Sequence, residues 1–581
     1  MTDTNSLANG ANGTHNENSA SPTADFDQQW ATVEQNPDDF AAWERVLRAA
    51  ESVGGRVSPH SPHSDITRVV EVYSKFLKKF PLCFGYWKKC VDWHALFYGP
   101  PDALKVRISL LCTALETLFC KPDSSLNCIM YQIFEEGVKA IRNSVDLWVQ
   151  YLTFKIENQP EEEDEIRALF EQGLQFVGYD FMGQDFWDKY IEWEEKKENS
   201  DKVLAILERI IHIPLHQYNR YFEKYSVVAA SRPVPELVTS EELERLQNEV
   251  RNPVAPQGGE APPAPQTDEE IEAALRVKIH QLKSDLYLKT QDAVMKRWQY
   301  EGEIKRGYFH VKPLDEAQLV NWRKYLDFEE EQGDNGRLYA LYERCLVACA
   351  SYEEFWLRYA RWAISLGHDA QDIFNRACDT FVPKNKPAVR LAYAGYQEEQ
   401  GRLREAEEVY RGIFKNLPGS PDAVFRFAAF LRRNNRTPEI PQMFDEAVKV
   451  APTSLTKGYL LSEKAKTMFN INNDDAAARS SMKRATQKHP DSMMAWIVWF
   501  LHEQTNGSPK DLRAVWEGVV ASSLGKADKL ILGNRYIGYL IDQNRPVVEI
   551  NKLEGEIAKI RDKQEDNASR KRSLDEGDGR A

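Results

Sequence analysis

The chain has 581 residues, 42 % of them hydrophobic and 28 % charged, with a formal net charge of −14. That length exceeds what one hydrophobic core supports, so several domains or a repeat array are expected. The acidic balance argues against a nucleic-acid binder that works through a broad basic face, and no apolar run of about 18 residues offers a membrane span.

Residues 1–24 are rich in Asn, Ser, Thr and Gly and lack the basic and apolar regions of a signal peptide. They predict a disordered tail. From 25 to 230 one aromatic pattern recurs: a Trp, a Tyr three residues on, a Phe or Trp three further, often followed by Glu. Copies are Trp148, Tyr151, Phe154 and Trp187, Tyr190, Trp193, Glu194, with Trp87, Cys90, Trp93 as a degraded one. Spacing of three and three lines the rings along one stripe of an α-helix, whereas a strand needs period two. After a short loop a second pattern follows, as in Phe134-Glu-Glu-Gly137 and Phe170-Glu-Gln-Gly173. Its small last residue lets a packed helix approach closely, and Pro81 and Pro214 stand where a helix must stop. Each buried ring is expected to stabilise by roughly 1.5–3 kcal/mol. Residues 95–130 fit the pattern poorly and read either as a real insertion or as translated intron.

Residues 231–267 carry seven prolines and read as a linker between two arms, with a short helix at Glu241–Val250. Residues 268–310 predict a long connecting helix with Thr267 or Asp268 as N-cap. Over 311–545 the pattern returns as Trp322, Tyr325, Phe328, Glu329 and Trp356, Tyr359, Trp362, then as Trp496, Trp499, His502, Glu503. Weaker copies keep Tyr393 with Tyr396 and Phe427 with Phe430. The second pattern recurs as Tyr342–Cys345, Phe374–Ala377, Phe444–Ala447 and Met482–Ala485. Trp148 to Trp187 is 39 residues and Trp322 to Trp356 is 34, a period of two helices per unit. The expected fold is all-α: a two-arm α-solenoid of helical pairs. Residues 546–581 read as a charged helix end and a disordered tail.

Near the end of the second arm lies Leu530-Ile-Leu-Gly-Asn-Arg-Tyr-Ile-Gly-Tyr-Leu-Ile541. Leu530, Ile531, Tyr536, Ile537, Tyr539, Leu540 and Ile541 cover more than one helix face, unlike a polar cap. They are the candidate surface of a homodimer through the C-terminal arm, with Gly538 as a candidate point of close approach.

No residue set predicts catalysis, a cofactor or a metal. His212 and His216 have zinc-pair spacing, but Pro214 lies between them and no Glu adjoins the first. Cys345 and Cys349 share a helix face without further ligands and read as small core residues. The eight cysteines form no CxxC pair and read as reduced thiols. Glu161–Glu165 reads as a solvated acidic loop. Phosphate-cradling and nucleophile-elbow motifs are absent from the sequence.

The aromatic pattern resembles the HAT (half-a-TPR) repeats of RNA-processing proteins, over roughly 40–225 and 315–525. The segments Ile213–Tyr225 (IPLHQYNRYFEKY) and Ile304–Glu330 (IKRGYFHVKPLDEAQLVNWRKYLDFEE), separated by the long linker, are similar to the pre-mRNA-processing factor 39 family. That resemblance implies a non-catalytic splicing scaffold in the nucleus. It would be a component of the U1 small nuclear ribonucleoprotein, acting in 5′ splice-site recognition and early spliceosome assembly. Its partners would be proteins of that particle, with self-association through the C-terminal repeats and mostly indirect contact with U1 RNA or pre-mRNA. The alternative is a HAT scaffold in mRNA 3′-end or ribosomal RNA processing. Ser569–Arg572 reads either as a short import signal or as an ordinary charged end.

Overall fold

In the computed structural model of the protein, residues 22–52, 55–98, 126–251, 267–417 and 419–575 are described, and among them there are helices and no strand. The chain divides into two compact units, Met1–Ala350 and Ser351–Ala581.

The first unit holds α1 (Pro22–Gln35), α2 (Phe40–Ser52), α3 (His63–Lys79), α4 (Phe84–Tyr98), α5 (Leu126–Ala140), α6 (Val145–Asn158) and α7 (Glu163–Val177). It continues with α8 (Gln184–Lys196), α9 (Ser200–Ile210), α10 (Tyr218–Ala230), α11 (Ser240–Arg251), α12 (Asp268–Glu301), α13 (Glu316–Gln332) and α14 (Asn335–Ala348). The second unit holds α15 (Glu353–Ser365), α16 (Gln371–Asn375) running into a π-helical turn at Arg376–Phe381, α17 (Ala388–Glu399), α18 (Leu403–Asn416), α19 (Pro421–Arg433) and α20 (Ile440–Val450). It ends with α21 (Ser454–Asn472), α22 (Asp475–Lys488), α23 (Met493–Asn506), α24 (Pro509–Ala521), α25 (Lys526–Asp542) and α26 (Val547–Asp575).

Sequential helices pack on one another, as a helical-pair array requires. The two sequence patterns meet across consecutive pairs. The ring of one pair's second helix stacks on the second ring of the next pair's stripe: Phe134 on Tyr151 (5.3 Å, 9°), Phe170 on Tyr190 (4.3 Å, 7°), Phe374 on Tyr393 (5.3 Å, 20°) and Tyr410 on Phe427 (5.1 Å, 15°). The small residue beside the first ring leaves room for the neighbour. A Cβ on Gly173 would lie 2.6 Å from Phe186 and 3.2 Å from Trp148, and one on Gly137 would lie 3.3 Å from Trp87.

The linker region is more structured than its proline content suggests. Residues 234–236 form a 3₁₀ turn, and α11 packs on α12 through buried Leu246, Val250, Leu275 and Ile279. Arg276 donates to the Arg232 carbonyl at 3.0 Å and Lys278 pairs with Glu249 at 2.7 Å. The remainder of the proline-rich stretch, 252–266, lies outside the described residues, as do 99–125 of the poorly fitting segment and 1–21 of the N-terminal tail. Thr267 caps α12 in a reciprocal box with Glu270, and α12 ends at Glu301 rather than at 310. The compact units divide at Ala350 and Ser351, whereas the sequence placed an arm boundary at 231–267. At the C-terminus, 547–575 form one helix.

Candidate interaction surfaces

The first two positions of the stripe are core. Trp148, Trp187, Trp322 and Trp356 are fully buried, and Tyr151, Tyr190, Tyr325 and Tyr359 are buried with them. Trp193 is buried, but Phe154, Phe328 and Trp362 are only half-buried. The indole also ties down the loop that delivers it. Nε1 donates to a carbonyl six residues earlier in Trp43 (Pro37, 2.9 Å), Trp87 (Pro81, 2.7 Å), Trp148 (Arg142, 2.8 Å) and Trp496 (Pro490, 3.1 Å). Trp187 reaches the Gly178 carbonyl at 3.1 Å instead. A buried indole N–H usually finds such a partner, but that of fully buried Trp322 has none among the described residues.

The Glu at the end of the pattern is buried and held by an arginine. Arg167 donates to Glu194 (2.8 Å) and lies over Trp193 (5.1 Å). Arg297 grips Glu329 through two bonds (2.7 and 3.0 Å) and lies over Phe328 (5.3 Å). Arg479 donates to Glu503 (3.0 Å). In the first two copies the arginine thus covers the third ring and neutralises the fourth position together. No local pattern marks this partner, because the arginine comes from a different helix at a spacing of 24–32 residues.

Within the first unit, a second ionic group joins the α7–α8 corner to α12–α14. Arg344 donates to Glu301 at 2.6 and 2.8 Å and approaches Asp180 at 3.6 Å, while the Tyr325 hydroxyl donates to Glu301 at 2.9 Å. Burial raises the Asp180 carboxyl above its ordinary range, and Arg344 opposes that shift.

The seven residues of the candidate dimer surface do not share one face. Leu540 and Tyr536 are buried in the core formed by α23–α26, and Leu530, Ile537 and Tyr539 are half-buried against it. Only Ile531 and Ile541 face outward, 55 % and 57 % exposed. The reason is α26, whose Leu553 and Ile557 cover one side of α25. The close approach lies at Gly533, where a Cβ would meet Ile557 at 2.8 Å and Trp516 at 2.9 Å. Gly538 has nothing within 4 Å. Val547 and Val548, 67 % and 78 % exposed, add apolar surface at the start of α26.

A family profile described as "PRP39 N-terminal HAT repeat" matches residues 27–110 and 121–227, and one described as "PRP39 C-terminal HAT repeat" matches 295–433. Pre-mRNA-processing factor 39 of Schizosaccharomyces pombe is 38 % identical over 492 residues, 82 % of this chain and 75 % of that protein. The chain belongs to the pre-mRNA-processing factor 39 family. The Homo sapiens member is 28 % identical over 91 % of this chain and 76 % of its own length. The U1 small nuclear ribonucleoprotein component PRP42 of Saccharomyces cerevisiae is 20 % identical over 59 % of this chain and 58 % of its own. The crystal structure of CstF-77 overlays with a TM-score of 0.46 at 13 % identity, over 81 % of this chain and 89 % of that one, too distant to bear on function.

In this family member the remaining polar candidates are structural. His216 stacks on Trp298 (4.9 Å, 20°) and meets Phe181 edge-on, while His212 turns to Glu208 at 3.5 Å. Cys345 and Cys349 are buried, and burial raises the Cys378 thiol to about 12. The acidic run at 161–165 is largely exposed, but from Glu163 it forms the first turn of α7 and is ion-paired. Glu162 and Glu165 (2.7 Å) hold Lys155, Glu163 pairs with Lys197 (2.6 Å), and Asp164 pairs with Arg167 (3.1 Å). Among the described residues, no group of three or more His, Cys, Asp or Glu is placed to hold a metal ion, and no helix is long and apolar enough to cross a membrane.

Proposed function

We propose that the protein is a non-catalytic scaffold in pre-mRNA splicing, a nuclear component of the U1 small nuclear ribonucleoprotein that acts in 5′ splice-site recognition and early spliceosome assembly. The observation that carries this reading is family membership along most of the chain, with a relative named as a component of that particle. The repeat's most characteristic side chains support a scaffold: Trp, Tyr, Glu and the paired Arg are spent on holding helices together. What remains for partners is the surface of the array, and long arrays engage several proteins at once. With a net charge of −14, contact with U1 RNA or pre-mRNA is mostly indirect, through proteins of the particle.

The protein self-associates through the outward apolar residues near its C-terminus, Ile531 and Ile541 with Val547 and Val548. A closed pair would use the same patch on both chains. Affinity purification of the tagged full chain, followed by sequencing of the bound RNA, tests the splicing role. Enrichment of U1 RNA is the expected result. Enrichment of ribosomal precursor, or of 3′-end processing substrates without U1 RNA, overturns it.

A further inference from the structure

The second unit contains a basic patch on one helical hairpin. Between 454 and 488, the hairpin of α21 and α22, there are seven Lys and Arg against three Asp and Glu, in a chain with 75 basic and 89 acidic residues. A groove of about 270 Å³ runs along this hairpin. Leu461, Met468 and Phe469 supply its apolar lining, all three half-buried, and Lys464, Arg484 and Lys488 supply its cations. The groove exists because α22 presents Ala477, Ala478 and Ser481 there, where larger side chains would fill it.

Two of the three cations are not matched within the fold. Arg484 and Lys488 are exposed and make no ion pair with a described residue. The two carboxylates that also line the groove are already engaged. Asp445 pairs with Lys464 at 2.6 Å, and Asp474 caps α22 by accepting from the Ala477 N–H. The positive region extends past the groove. Burial first, and then Lys488 and Lys457, holds His489 below its ordinary range, against the opposing pull of Asp491. Unpaired cations beside an apolar lining ask for a ligand that brings carboxylates and aliphatic side chains together. Single-stranded RNA fits less well. Its bases stack on open aromatic faces, whereas His502 packs perpendicular to Phe469 at 4.8 Å, and a phosphate backbone makes no use of apolar lining.

We propose that the α21–α22 groove docks an acidic, leucine-bearing peptide segment of a partner protein, its carboxylates on Arg484 and Lys488 and its aliphatic side chains against Leu461, Met468 and Phe469. This deepens the scaffold reading, on which it rests, by naming one surface and the chemistry it takes. The experiment titrates a fluorescent peptide of about twelve residues, built of Glu and Leu, into the purified full chain and follows anisotropy. Saturable binding is expected. It should weaken at least about tenfold in the Arg484→Glu, Lys488→Glu double variant, and likewise in Ala477→Trp, which fills the groove without changing charge. Lys510→Glu, an exposed site on α24, should leave it unchanged. Circular dichroism checks that each variant keeps the wild-type helix signal. A uridine-rich RNA of the same length is the competing probe. The proposal is overturned if the peptide fails to saturate, if both groove variants bind it as wild type does, or if RNA binds while the peptide does not. None of these outcomes touches the U1 RNA purification, so the failure of either reading is recognisable on its own.

Discussion

In several pairs the first-position Trp does what Phe cannot, because the indole also carries an N–H donor. Burial alone asks only for a large ring. Yet in four pairs Nε1 reaches back six residues to the carbonyl of the entering loop, so one side chain fills the core and fixes the loop. Trp148→Phe therefore should cost about 1–3 kcal/mol, from the orphaned Arg142 carbonyl, and Trp148→Ala about 3–5 kcal/mol. Urea unfolding separates the two, and a Phe variant as stable as wild type would show the bond to be idle. Charged residues act at the same scale. Hydrogen bonds from Arg433 (2.9 and 2.6 Å), and then from Asn434, hold Glu398 below its ordinary value of 4.5. A carboxyl depressed on folding adds stability above its unfolded value and loses it as pH falls through the folded one. Glu398→Gln should thus lower the urea midpoint at pH 7, with the gap from wild type closing as pH falls below 4.5. A gap of constant size from pH 7 to pH 3 would rule the pair out as its cause.

At the scale of elements, glycines that look alike in sequence differ in what surrounds them. Gly533 and Gly538 both sit in α25. Gly538 faces open space, so Gly538→Ala should stabilise by about 0.5–1 kcal/mol through helix propensity. Gly533 is pressed against Ile557 and Trp516, so Gly533→Ala should destabilise by about 1–3 kcal/mol through overpacking. Thermal unfolding of the two variants in parallel tests the seating of α26 on α25. Shifts of the same sign would mean that α26 does not pack there. The spacing that revealed the stripe could not reveal this, because a helical period fixes which residues share a face, not which face a later helix covers.

At the scale of the whole molecule, the proposed self-association surface is narrower than the seven residues the sequence offered for it. Removing everything after Ala527 would strip buried Leu532, Tyr536 and Leu540 from the core and confound folding with assembly. Ile531→Asp with Ile541→Asp changes only outward positions. Light scattering of the full chain at micromolar concentration should give a dimer for wild type and a monomer for this variant. A wild-type monomer would end the proposal, and a dimer that survives the substitutions would move the interface elsewhere.

By itself the sequence determined the all-α repeat class and the helices that carry the Trp, Tyr and aromatic stripe, because a three-and-three period is compatible with one secondary structure only. It also pointed to the family, through segments whose packing roles tie them to one repeat context. The tertiary structure alone decided the rest. It chose the arginines that cover Trp193 and Phe328, ordered 234–251 against α12, drew Arg344 to Glu301 and Asp180, and turned Tyr536 and Leu540 inward beneath α26. Each of these is a contact between helices distant along the chain, set by packing and ion pairing in three dimensions, and neither composition nor local period carries that information.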